Sequence, residues 1–271
     1  MTPLNPRTVL VTGATDGLGR ALAERIAAGG DRVIVHGRDP GRIERAVEEI
    51  RGTTGNDQLY PALADLAELA QVRALAESVL ADHPDLDVLV SNAGIGTSGP
   101  GGRTREVSVD GYELRFAVNY LAGYLLTRLL LPRLRAAPSA RIVQVSSAGQ
   151  APIDFDDVML ERNYSGIQAY CQSKLAQIMF TFDLADELAG TAVTATALHP
   201  ATFMPTKIVT NPISTIEEGV EATYRLVAAR ELDGVTGQYF DGQRPAKAHP
   251  QAYDPDARKQ LRELSDHLTG R

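Results

Sequence analysis

Directly after the short apolar run Thr8–Val11 (TVLV), the sequence reads Thr12-Gly13-Ala14-Thr15-Asp16-Gly17-Leu18-Gly19. The glycines have the spacing GxxxGxG and sit where a strand-like run meets the helical pattern of Gly17–Ala28. Such a junction turns free backbone N–H groups and the positive end of a helix toward one point, which suits a phosphate. Gly13 permits the tight turn, Gly17 a close approach, and Gly19 the packing of the helix on the sheet. The spacing alone also suits a tight loop without a ligand; its place on the first strand–helix unit favours a dinucleotide. No Gly-Lys-Ser/Thr follows, which excludes the nucleoside-triphosphate loop.

The rest of the chain repeats the same alternation. Strand-like runs recur at Arg32–Val35, Leu59–Leu63, Leu86–Val90, Arg141–Val145, Ala192–Leu198 and Gln238–Phe240. Between them lie helical patterns: one opened by Asp39-Pro40 and running to about Ile50, then Leu66–Leu80, two helices over Arg105–Leu134, Ile167–Leu188, and Glu217–Ala229. Asp39 fits an N-cap with proline at the first helical position. Alternating strands and helices predict a single-domain, doubly wound α/β Rossmann fold: a parallel sheet of about seven strands with helices on both faces. No linker divides residues 1–271, and residues 241–271 form a tail ending in a helix around Asp256–Leu268. Two stretches look like functional loops, Gly94–Gly102 and the acidic segment Gly149–Gly166.

Composition removes several function classes. The net charge of −7 argues against a duplex-binding surface, which needs a basic face. A single cysteine, Cys171, excludes an intramolecular disulfide and a cysteine-built zinc site, and the five histidines form no HExxH pair, so no metal is expected. No apolar run reaches the roughly 18 residues of a membrane span, and the N-terminus lacks a signal-peptide layout. A cytoplasmic setting is the resulting expectation.

Cofactor choice falls at the end of the second strand. An acid there holds the ribose hydroxyls of NAD. Here the chain has Gly37-Arg38, so that position is empty and a guanidinium follows it. The planar fork of arginine matches a phosphate, so NADP(H) is favoured over NAD(H), with a solvated turn charge as the other reading of Arg38. Asp16 places a negative charge in the same region and speaks mildly against it.

Read together, these residues resemble the short-chain dehydrogenase/reductase family from about Thr8 to Phe240. The order is TGATDGLG at 12–19, Asp65, Asn92-Ala93-Gly94, Asn119, Ser146-Ser147, Tyr170-Cys171-Gln172-Ser173-Lys174 and His199-Pro200. RIVQVSS, the long gap before AYCQSKLAQIMF, and LHP resemble the branch that includes retinol dehydrogenases and their bacterial relatives. The resemblance implies a catalytic set of Asn119, Ser147, Tyr170 and Lys174. It implies a cofactor site made of Gly13, Thr15, Asp16, Gly17, Leu18, Gly19, Arg38, Asp65, Leu66, Asn92, Ala93, Gly94, Tyr170, Lys174, Pro200, Thr202 and Thr206. Asp65 could equally cap the next helix, and both roles are compatible. The family's Pro-Gly after the sixth strand is Pro200-Ala201 here, so the loop carrying Thr202 and Thr206 departs from the pattern.

The chemistry follows from the residue types. Tyr170 and Lys174 are four apart on a predicted helix and share a face. A phenol titrates near 10, and an adjacent ammonium, aided by an oxidised nicotinamide, favours the phenolate. Such a phenol donates a proton to a carbonyl being reduced, or accepts one from an alcohol. In the family the second serine of the pair, Ser147, orients the same oxygen, and the helix asparagine, Asn119, holds a water linked to the lysine. The expected function is an NADP(H)-dependent oxidoreductase acting on a ketone, an aldehyde or the matching alcohol. The competing reading is a non-catalytic dinucleotide sensor or scaffold, which such a complete tetrad disfavours. Specificity is expected in residues 95–105, 149–168 and 202–215. Their Ile95, Phe155, Met159, Ile167, Phe203 and Met204 suggest a largely apolar substrate. Segment 149–166 reads either as a solvated loop or as a lid. Apolar residues on more than one face of the helices around Val118–Leu131 and Ile167–Leu188 predict a homodimer, unless the tail covers them.

Overall fold

Eight strands form one sheet in the order β3-β2-β1-β4-β5-β6-β7-β8, in a computed structural model that describes residues 6–97, 104–205 and 212–271. They are β1 Thr8–Val11, β2 Arg32–Gly37, β3 Leu59–Leu63, β4 Leu86–Ser91, β5 Ala140–Val145, β6 Val193–His199, β7 Gln238–Asp241 and β8 Arg244–Ala246. All neighbours through β7 pair in parallel, and β8 returns antiparallel on β7. The doubly wound sheet is therefore as expected, with one strand more than the seven read from the sequence. That strand, RPA, is too short to show a period. The order reverses between β1 and β4, the switch point at which such sheets open a crevice beyond the strand ends.

The helices are α1 Gly17–Ala28, α2 Pro40–Thr54, α3 Leu69–Asp82, α4 Ala122–Ala136, α5 Gly166–Glu187, α6 Ile216–Ala228 and α7 Pro255–Thr269. Local chemistry sets several ends. Asp39 caps α2 by accepting from Arg42 N at 2.8 Å, and the left-handed Gly55 closes it. Thr215 and Glu218 form a reciprocal capping box on α6. One core cluster packs α1, α2 and α6 on one face of the sheet; the other packs α3, α4, α5 and α7 on the opposite face.

One expectation needs correction. The two helices read over Arg105–Leu134 are one helical segment. Residues up to Glu113 form a turn closed by a Val107–Glu113 bridge, and a π-helical stretch, Phe116–Leu121, runs straight into α4. The apolar surplus on α4 and α5, from which a homodimer is expected, is buried within the chain. Leu121, Leu125 and Ile178 are fully buried, and they share a cluster with Ala257 and Leu261 of α7. Tyr120 and Tyr124 reach α7 through Ser265 (2.7 Å) and Asp266 (2.7 Å), and Phe182 packs on Tyr253. Among the described residues, no helix is long and apolar enough to cross a membrane.

Candidate active site

The glycine loop is held by its neighbours' backbones. Thr12 Oγ accepts from Asn92 N (2.9 Å) and Ala93 N (3.0 Å), while Asn92 Nδ2 donates back to Thr12 O at 2.8 Å. These bonds tie the end of β1 to the end of β4. A side chain at Gly19 would place its Cβ 2.2 Å from Gly13 O, and one at Gly13, where φ is +67°, would meet Ala93 Cα at 2.9 Å. The Asn92-Ala93-Gly94 turn and the glycine loop are thus one packed unit. Leu18 and Leu66 are buried in the two cores, so their side chains serve packing.

His36 completes this unit, and no motif flags it. Its Nδ1 accepts from Gly13 N at 3.1 Å, and its Nε2 lies 3.2 Å from Ala64 O. Accepting at Nδ1 requires the proton on Nε2, which then donates to Ala64. Burial pushes the imidazole down to about 4, opposed by the Ala64 bond and the charge of Asp65. Asp65 itself accepts from Ala67 N at 2.9 Å in a turn ahead of α3; it does not cap that helix, whose N-cap position is Glu68.

At the end of β2, a side chain at Gly37 would lie 2.6 Å from Thr15 Cγ2 and 2.9 Å from Ile43 Cγ1. The position where an acid would hold ribose hydroxyls is therefore sterically closed. Arg38 is exposed beside it. Asp16 caps α1 through Gly17 N (2.9 Å) and pairs with Arg42 at 2.9 Å, so its charge is met by a guanidinium within the loop. The tight glycine turn and the open edge beside Gly37 fit a nicotinamide dinucleotide.

The four predicted catalytic residues come together at the ends of β4 and β5. Asn119 lies in the π-helical stretch; its Oδ1 accepts from Ile95 N (2.6 Å) and its Nδ2 donates to Ser173 Oγ (3.0 Å). Ser147, just past β5, has its hydroxyl beside Tyr170, whose titration it lowers, and accepts from Gly149 N at 3.0 Å. Tyr239 of β7 donates to Ser147 O at 3.0 Å and so fixes the serine from behind, a contact no sequence signal announces. Lys174 Nζ is 5.7 Å from the Tyr170 ring centroid and close to the Asn119 amide across Gly94.

With the chain's own groups, burial pushes Tyr170 up, and the Ser147 hydroxyl opposes it only partly. Burial also brings the neighbouring Lys174 ammonium down to about 7.

Pro200 is buried after β6, and Thr202 is exposed with Oγ 3.0 Å from His199 Nε2. Thr206, and the parts of the predicted loops at 98–103 and 206–211, lie outside the described residues. Segment 149–166 is a packed wall more than a lid. Ile153, Val158 and Leu160 are buried, Gln251 exchanges two bonds with the Ile153 backbone (2.7 and 3.1 Å), and Gln172 donates to Val158 O at 2.7 Å. Phe155 and Met159 pack at the core edge, Met204 packs against Gly219 of α6, and Ile167 and Phe203 stay exposed.

The sequence profile of the short chain dehydrogenase family matches residues 7–216. Human retinol dehydrogenase 13 is 36% identical over 287 residues, covering 97% of this chain and 85% of its own. A crystal structure of a Mycobacterium paratuberculosis protein superposes with a TM-score of 0.79 at 31% identity, covering 97% of this chain and 93% of its own. A Shigella flexneri short chain dehydrogenase complexed with NADP gives a TM-score of 0.71 at 25% identity, covering 89% and 98%. With its glycine turn, its switch-point crevice and its Asn119–Ser147–Tyr170–Lys174 cluster in place, the chain belongs to the short-chain dehydrogenase/reductase family of oxidoreductases, in the branch of the retinol dehydrogenases.

Proposed function

We propose that the protein is an NADP(H)-dependent oxidoreductase that interconverts a ketone or aldehyde and the matching alcohol on a largely apolar small molecule. The observation that carries this reading is the convergence of Ser147, Tyr170 and Lys174 beside Asn119. The nicotinamide, when bound, gives or takes the hydride. Tyr170 supplies or accepts the proton at its phenolic oxygen. Ser147, held by Tyr239 and Gly149, orients the carbonyl oxygen toward that phenol and stabilises charge developing on it. Lys174 provides the nearby cation that makes proton loss from a buried phenol affordable. Arg38, exposed where Gly37 leaves no room for an acid, supports the preference for a 2′-phosphate.

The exposed Ile167 and Phe203 support an apolar substrate. With α4 and α5 covered by α7, we read the chain as a monomer rather than the homodimer expected from sequence. Light scattering should then give a mass near 29.1 kDa; twice that mass would mean that another face pairs. The single Cys171 supports the cytoplasmic setting. The decisive experiment follows NADPH and NADH consumption with a panel of apolar ketones and aldehydes. Carbonyl-dependent oxidation of NADPH, faster than of NADH, is the expected result. Binding of NADPH without turnover on any carbonyl would favour the sensor reading instead.

A further inference from the structure

Beneath Lys174 lies a run of buried polar groups that the proposed chemistry leaves unused. Lys174 Nζ donates to Val145 O at 2.9 Å and to Gln177 Oε1 at 2.9 Å. Gln177 Nε2 in turn donates to Gln144 Oε1 at 3.4 Å, on β5. The three side chains are 5%, 2% and 2% exposed. Gln177 is three residues after Lys174, on the same helical face, and its neighbours Leu175, Ala176, Ile178 and Met179 are fully buried and apolar. An amide costs stability in such surroundings unless its hydrogen bonds are made. Here the bonds it makes lead to the lysine.

The direction of the chain is set by chemistry. An ammonium has donors only, so Gln177 must present its oxygen to Nζ, and its NH₂ must then face the oxygen of Gln144. With Val145 O and Gln177 Oε1 each taking one N–H, the ammonium keeps its third N–H for the cleft. The titratable group facing Nζ is Tyr170, one turn earlier on α5. The neighbours from the other elements, Val145 and Gln144 on β5, Gly94 after β4 and Asn119 in the π-helical stretch, carry no charge. Two neutral acceptors, one of them a side chain, therefore hold a cation that burial disfavours.

We propose that Gln177, oriented by Gln144, is a positioning residue for Lys174: it fixes Nζ at the foot of Tyr170 and sets how firmly the lysine keeps its proton. The proposal rests on the reading of Lys174 as the cation of the site. It assigns to a buried glutamine pair a task that neither residue's own reactivity suggests. Burial already brings Lys174 to about 7, so a change of one acceptor acts where the charge is most sensitive.

The test is the titration of Lys174 in the full-length protein, followed by NMR of ¹³C-labelled lysine side chains. The chain has four lysines, so the buried one is readily assigned by its loss in Lys174→Met. Gln177→Met should lower the Lys174 midpoint by about one pH unit or more, and Gln177→Glu should raise it by at least about one unit, because a carboxylate favours the cation. Gln144→Leu should lower it by less, acting one step away. The pH at which turnover is lost on the alkaline side should move in the same two directions. A merely structural glutamine would lower activity in both variants without opposite shifts. Midpoints unchanged in both folded Gln177 variants, or shifts of the same sign, would overturn the proposal. If Gln177→Met fails to fold, the Glu and Gln144 variants still decide it. Should Lys174→Met retain full turnover, the proposed chemistry fails, while the titration still reports whether Gln177 governs the lysine.

Discussion

The two walls of the crevice are built by different means. On the dinucleotide side, the contacts are backbone to backbone or backbone to a short side chain. Gly13 lies against Ala93, Thr12 bonds Asn92 and Ala93, and His36 bonds Gly13. On the opposite side, long side chains reach across large sequence separations to hold an irregular segment. Gln251 holds Ile153, Gln150 accepts from His249 N at 2.7 Å, and Arg105 donates to Met159 O at 2.8 Å. The first construction tolerates almost no change of volume, since a single Cβ at Gly19 has nowhere to go. The second depends on bonds worth about 1 kcal/mol each, so it can be rebuilt one contact at a time. A fixed cofactor wall and a revisable substrate wall are what a fold needs to serve many substrates with one chemistry.

Tyr170, where the two walls meet, gives the largest expected effect. Tyr170→Phe removes the proton donor and leaves both walls intact. Turnover should fall by roughly 10²–10⁴-fold with NADPH affinity unchanged within about twofold. Near-normal turnover would show that another group carries the proton.

His36 tests the rigidity of the dinucleotide wall. Its folded pKa of about 4 lies below the ordinary 6.5, so the unfolded chain takes up this proton first. Stability from this group is complete above about pH 6.5 and is lost as pH falls toward 4, by up to about 3 kcal/mol. His36→Asn keeps an acceptor for Gly13 N but cannot titrate. Urea unfolding at several pH values should therefore show the wild type losing its advantage over the variant within that window. A difference that stays flat with pH would mean that the ring is not locked as a neutral acceptor.

Arg38 tests the same wall from its exposed edge. Arg38→Ala should weaken NADPH by roughly 10–100-fold and NADH by less than about threefold, measured by fluorescence titration, since a charge-assisted bond is worth about 1.5–3 kcal/mol. Equal loss for both dinucleotides would place the 2′-phosphate elsewhere.

This contrast also governs how much was legible in advance. The glycine loop, the Asn92 turn and the tetrad are spaced by backbone geometry, so short motifs expose them and the structure brings them together. His36 carries no motif because its role depends on Gly13 and Ala64, which only the sheet brings beside it. The eighth strand and the π-helical stretch lack a readable period. The placement of α7 was hidden for a physical reason. Its buried stripe is Ala257, Leu261, Ser265 and Thr269, of which only Leu261 is strongly apolar, so composition does not reveal which surface it covers. Ser265 and Thr269 fit there because their hydroxyls bond back to the carbonyls of Leu261 (2.6 Å) and Ser265 (2.7 Å). The apolar residues of α4 and α5 need cover, and α7 of the same chain supplies part of it.

The smallest predicted effect probes the revisable wall. Gln251 bonds both the N–H and the C=O of Ile153, in the manner of one rung of a sheet, and so holds residues 149–153 beside Ser147. The site is only partly buried, so water can replace part of what Gln251→Ala removes, and the loss of stability should be about 1 kcal/mol. The functional change should be selective. The apparent KM for the carbonyl substrate should rise a few-fold, because the wall of its pocket gains freedom, while the Kd for NADPH stays constant, because none of the contacts of Gly13, Asn92 or His36 involves this clasp. Parallel losses for substrate and cofactor would mean that the two walls are one cooperative unit, and the division between a rigid and a revisable side would have to be given up.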